Sequence, residues 1–139
     1  MIHEPVILVI EQDKADFNCL LHYLNDFVPG WSVKGPYSTI ESSLEAIHKL
    51  RPKVVFSECI LKDGSYLELL SAKIQVRFEL VLTSRDESHA LKAIKFGVLD
   101  YLLKPFERKD IQLTVSRILN GSHQQSLPDG ILNKLALPT

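Results

Sequence analysis

The stretch Val6-Ile7-Leu8-Val9-Ile10-Glu11-Gln12-Asp13 decides the fold. A strand covered on one face alternates apolar with polar residues, whereas an unbroken apolar run is buried on both faces, as in a parallel sheet flanked by helices. The run stops abruptly in polar residues, which puts charge at the carboxyl end of the strand. The same design recurs: Val54-Val55-Phe56 runs into Ser57-Glu58, Leu80-Val81-Leu82 into Thr83-Ser84, and Val98 to Leu103 into Lys104-Pro105. Trp31 to Pro36 reads as a weaker, more exposed strand.

Between these runs the period changes. Phe17, Leu20, Leu21, Leu24 and Val28 recur at helical spacing, as do Ile40, Leu44 and Ile47, and later Ile111, Val115 and Ile118, each set forming the apolar stripe of an amphipathic helix. Ser38 with Glu41 three residues on predicts a capping box, and Asp63 predicts an N-cap for the helix containing Leu67 to Leu70. Gly97 and Gly121 stand where helices should stop. Strand and helix thus alternate five times, which predicts a parallel α/β domain with right-handed crossovers and helices on both faces.

The chain has 139 residues, 45% of them hydrophobic, enough for one compact domain with a real core. That domain is expected over residues 1–121. Residues 122–139 break the pattern with a polar run and the turn Leu127-Pro128-Asp129-Gly130, and read as a linker or an ordinary C-terminal tail. The formal net charge of -1 comes from interspersed charges, so no basic field points to nucleic acid. Two cysteines build no disulfide framework, and the N-terminus lacks the basic and apolar segments of a secretion signal, so a cytoplasmic location is expected. No apolar run is long enough to span a bilayer. The five histidines lack ligand spacing. Cys19, Tyr23 and Trp31 read as packing residues, and Cys59 lacks an activating base nearby in the sequence.

In an open α/β sheet, ligands gather beyond the carboxyl ends of the strands. There the sequence supplies Glu11, Gln12 and Asp13, then Glu58, then Thr83 and Ser84, then Lys104. Each alone is an ordinary exposed or capping polar group. Acid, acid, hydroxyl and amine converging on one edge form a site, because buried charges are costly unless paired.

The segments VILVIEQD, VVFSECILKDG, LVLTS and GVLDYLLKPF resemble those of response-regulator receiver domains over nearly the whole chain. The resemblance implies the flavodoxin-like (βα)5 fold, a three-layer α/β/α sandwich with sheet order 2-1-3-4-5. It also implies a signalling role in a two-component phosphorelay rather than an enzyme. In that family an acidic pair binds Mg²⁺, an aspartate takes a phosphoryl group from a sensor histidine kinase, and a hydroxyl and a lysine contact the phosphoryl oxygens. By position, Glu11 and Gln12 match the acidic pair, Glu58 the acceptor and third metal ligand, Thr83 the hydroxyl and Lys104 the lysine. Tyr101 matches the aromatic switch. The interval from Thr83 to Lys104 is one residue shorter than usual, which implies a deletion near Arg85-Asp86. A cis Lys104-Pro105 bond is also implied.

The closest subgroup resemblance is to regulators paired with citrate and C4-dicarboxylate sensors, through Leu61-Lys62-Asp63-Gly64 and the tail LPDGILNKLAL. In that subgroup the tail leads to a helix-turn-helix domain, so transcriptional control and DNA contact would act through a domain beyond Thr139; either the protein continues there or it stops where relatives continue. The family also implies a homodimer through the fourth helix, fifth strand and fifth helix, where Lys92, Lys95, Arg108, Lys109 and Asp110 supply charges of mixed sign.

Two departures fall on the chemistry. Forming an acyl phosphate needs a carboxylate at a fixed place and a cation that neutralises developing charge. Glu58 extends its oxygens by about one C–C bond, ~1.5 Å, and a misplacement near 1 Å can cost on the order of 100-fold in rate. Gln12 removes a ligand charge, which Asp13 could restore only by turning inward. Impaired phosphorylation is therefore expected, with Glu58 either partly imitating the modified form or standing as a packing remnant of a degenerate receiver. Two other functions bear weighing. A flavin or nucleotide binder would need a Gly/Ser/Thr-rich first loop, and Glu11 to Asp16 repels phosphate. A phosphorylation-independent interaction module would tolerate Gln12 and Glu58, and phosphate incorporation separates it from a working receiver.

Overall fold

A computed structural model describes residues 4–121. The expected boundary and the linker or tail at 122–139 lie outside the described residues. The elements run β1 (Val6–Ile10), α1 (Lys14–Phe27), β2 (Ser32–Tyr37), α2 (Ile40–Leu50), β3 (Val54–Glu58), β4 (Ile60–Leu61), β5 (Gly64–Ser65), α3 (Tyr66–Ala72), β6 (Glu79–Ser84), α4 (Ala90–Lys95), β7 (Asp100–Leu103) and α5 (Arg108–Asn120). Five strands form one parallel sheet in the order β2-β1-β3-β6-β7. This is the expected 2-1-3-4-5 order, with the antiparallel β4–β5 hairpin inserted after the third strand.

Alternation along the buried strands splits the core in two. Leu8, Ile10, Val55, Leu80, Leu82 and Tyr101 pack on one face against α2, α3 and α4 residues such as Ile47, Leu69 and Ala93. Ile7, Val9, Val54, Phe56, Val81 and Leu102 pack on the other against α1 and α5, through Leu20, Leu24, Ile111 and Val115. Trp31, Tyr23 and Cys19 are partly buried against that second core, in keeping with a packing role.

Three local expectations are corrected. The N-cap of α2 is Thr39, whose hydroxyl accepts from the Ser42 amide; Ser38 does not cap it, and Glu41 closes no capping box. Asp63 does not cap α3. Its carboxylate reaches across to accept from the Ile40 and Glu41 amides at 2.7 and 3.1 Å, while Ser65 and Glu68 form the capping box of α3. The β4–β5 hairpin turns Asp63 toward α2, so Ser65 becomes the first residue beside α3. Finally, the fifth strand begins at Asp100, because Val98 still closes the end of α4 by donating to Ala93 O.

Gly97 and Gly121 have positive φ and follow α4 and α5, as expected for left-handed helix stops. In β2, the register against β1 shifts after Leu8. There Gly35 has φ +143, and a Cβ would stand 2.6 Å from Val9 O, so this edge requires glycine. The Lys104-Pro105 bond is cis, as is Gly35-Pro36.

Candidate functional site

The strands β1, β3, β6 and β7 end side by side and deliver Glu11, Glu58, Thr83 and Lys104 to one edge. Glu58 and Thr83 are register partners and therefore share a face of the sheet. Lys104 is the centre of the site. Its side chain is 2% exposed, and its Nζ lies 2.7 Å from Glu11 Oε1, 3.0 Å from Glu58 Oε2 and 3.2 Å from Asp16 Oδ2. Three carboxylates thus surround one ammonium group.

Burial shapes their protonation. It pushes the Glu11 carboxyl up to about 7, against the pull of Lys104 and the Asp13 amide. Burial acts on Glu58 in the same sense, but hydrogen bonding with Glu11, the Gln12 amide and Lys104 outweighs it and holds that carboxyl below its ordinary 4.5. Crowded acids around one cation settle a proton on the more buried member, here Glu11. For Lys104, burial favours the neutral amine, yet Glu11 and Glu58 prevail and raise its pKa above 10.5.

Glu58 is gripped from a second side. Its Oε1 accepts from the Gln12 backbone amide at 2.6 Å and from Gln12 Nε2 at 3.1 Å; the same Nε2 also donates to Ile60 O. Both oxygens of Glu58 are therefore occupied by donors of this chain. Asp13 does not turn inward to replace the charge that Gln12 lacks, because its carboxylate caps α1 by accepting from the Asp16 amide.

This donor set does not fit Mg²⁺. A hard divalent cation needs several oxygen ligands in octahedral array. Here Glu11 and Glu58 point at Lys104, Gln12 presents its NH₂ group, and Asp13 is engaged as a cap. Among the described residues no group of three acidic, histidine or cysteine side chains is arranged to hold a metal ion.

Thr83 is buried, and its Oγ1 has no hydrogen-bond partner among the described residues. Ser84 Oγ instead accepts from the Asp86 amide. Tyr101 is turned inward, 1% exposed, with its hydroxyl donating to Asp86 O at 2.8 Å and Cys59 Sγ 3.7 Å away. Burial pushes the Cys59 thiol up to about 11, which suits a packing role beside the site. Two participants escaped the sequence reading. Asp16 figured there only as loop charge, although an acid in the first turn after β1 lies beside the site in this fold. Arg85, which binds Asp16 at 2.9 Å, carried no local signal.

Known proteins share this fold. No family model matches the chain. It is 29% identical over 100 residues to Sensory transduction protein LytR of Staphylococcus haemolyticus, covering 70% of this chain and 39% of that protein. To Transcriptional regulatory protein LytR of Staphylococcus aureus strain N315 it is 27% identical over 114 residues, 80% of this chain and 46% of the relative. A solved structure of a two-component response regulator from Clostridium difficile is 27% identical and superposes with TM-score 0.72, over 84% of this chain and 97% of that one. The fold is that of a response-regulator receiver domain. The receiver spans less than half the length of the two curated relatives. No helix among its described residues is long and apolar enough to cross a membrane.

Proposed function

We propose that this receiver serves two-component signal transduction with an acceptor position that is permanently filled by its own anion, Glu58, so that phosphotransfer is impaired. The observation carrying this reading is the grip on Glu58: Lys104 Nζ on one oxygen and two Gln12 donors on the other. A carboxylate whose two oxygens are both held by donors is a weakened nucleophile, poorly placed to attack phosphorus, and neutralising cation binding is weakened by the donor set. Its partners would be a sensor histidine kinase and, as the name Transcriptional regulatory protein LytR of one relative suggests, a transcriptional output. The kinship to citrate and C4-dicarboxylate regulators belongs to this reading only through the 61–64 and tail motifs.

Incubation with a small phosphodonor and Mg²⁺ should give no stable acyl phosphate. Addition of about 80 Da to most molecules, the mass of one phosphoryl group, would refute the proposal. Glu58→Asp together with Gln12→Asp should gain phosphorylation beyond the sum of the single changes, since the two act as a unit. A second reading, an interaction module working without phosphorylation, is favoured by the same grip; it predicts that the double substitution leaves partner binding unchanged.

A further inference from the structure

A continuous polar chain leaves the Glu58 site and ends at Tyr101 without passing through Thr83. Glu58 Oε2 lies 3.0 Å from Lys104 Nζ, which lies 3.2 Å from Asp16 Oδ2, which lies 2.9 Å from Arg85 Nη2. Arg85 begins the turn between β6 and α4. The next residue, Asp86, accepts the Tyr101 hydroxyl on its backbone carbonyl at 2.8 Å, and its carboxylate holds the Ser88 amide at 2.9 Å, which stiffens the turn. Thr83 Oγ1, the hydroxyl at the strand end, has no partner among the described residues and takes no part in this connection.

We infer that Asp16 and Arg85 are positioning residues: they form a latch from α1 across the mouth of the site that fixes the β6–α4 turn and, through Asp86 O, holds Tyr101 inward. The inference rests on the resident-anion reading of Glu58, because Glu58 shares Lys104 with Asp16 and so sets where that cation lies. Arg85 is 65% exposed at its side chain, and an exposed ion pair adds little to global stability. Its effect is local: it ties a turn that otherwise bonds mainly within itself. Such a pair is also screened by salt.

The test compares the parent with Arg85→Ala, Arg85→Lys, Glu58→Gln and the Glu58→Gln/Arg85→Ala double variant, by Tyr101 ring NMR and by amide exchange at residues 85–88, at low salt. Arg85→Ala should raise the outward Tyr101 population and the exchange rates by roughly two- to fivefold, the ratio an exposed pair supports, with little change in melting temperature. Arg85→Lys should restore most of the parent behaviour, and 0.5 M NaCl should reproduce the alanine effect in the parent. The double variant should match Glu58→Gln alone. If Glu58→Gln moves Tyr101 while Arg85→Ala does not, or if the two effects simply add, the latch is wrong and the resident anion stands. If neither moves Tyr101, the latch is wrong, and the resident anion is decided by the phosphodonor experiment alone.

Discussion

At the residue scale, the site is a problem of three acids and one ammonium group in little water. Glu11 loses most from burial, and its carboxyl rises from 4.5 to about 7. A group whose folded pKa exceeds its unfolded value contributes stability fully below the unfolded value, and that contribution is lost as pH rises through the folded one. Glu58 is the opposite case: its lowered pKa contributes above 4.5 and is lost as pH falls. Glu11→Gln removes the first effect, so its melting temperature relative to the parent should be more favourable at pH 8 than at pH 5. Thermal unfolding at the two pH values checks this, and an equal difference at both would refute it.

At the element scale, two arrangements fix the pieces that carry the site. The Ser65–Glu68 capping box satisfies donors at the start of α3 just after the Glu58 loop, and Ser65→Ala should cost about 1 kcal/mol in denaturant unfolding. The second joins β7 to α5. Asp100 is 3% exposed and accepts from Thr114 Oγ1 at 2.6 Å, Arg117 Nη1 at 2.7 Å and the Tyr101 amide at 2.8 Å. Burial raises its pKa despite those donors. Removing the cation would leave a desolvated carboxylate at the start of β7, so Arg117→Met should destabilise by roughly 3 kcal/mol. Adding Asp100→Asn should recover much of that loss. A double variant as unstable as the single one would show that Arg117 acts by packing instead.

At the scale of the whole molecule, the proposed output face is the surface of α4, β7 and α5. Leu91, Phe96 and Leu113 are half exposed on α4, at its end and on α5, in company with Lys92, Lys95 and Asp110. Arg108, counted among the charges of this face from the sequence, is instead turned to α1, where it pairs with Asp26 at 3.0 Å and lies over Phe27. On the proposed reading, the Glu58 charge, the inward Tyr101 and this surface would be parts of one two-state element. Glu58→Gln keeps the size and removes the charge. It should weaken any dimer by an amount typical of site-to-site coupling, roughly 1 to 3 kcal/mol, read by sedimentation equilibrium; unchanged association would make Glu58 a packing residue only.

The sequence by itself determined the five-stranded parallel sheet and the convergence of Glu11, Glu58, Thr83 and Lys104. Apolar runs buried on both faces admit few arrangements, and strand ends in such a sheet necessarily meet at one edge. It also placed the left-handed stops Gly97 and Gly121, because their signal is local. What it could not give were contacts between residues far apart in the chain. Asp63 seemed to serve the helix next to it in sequence but caps α2, since the β4–β5 hairpin aims it across the loop. Asp13 had two possible roles, and only the packed geometry assigned it to α1. Asp16 and Arg85 are 69 residues apart, and nothing near either residue signals their pairing. Hydrophobic period is a property of consecutive residues and survives in the sequence; ion pairs depend on distances of a few ångströms that exist only after the helices have docked on the sheet.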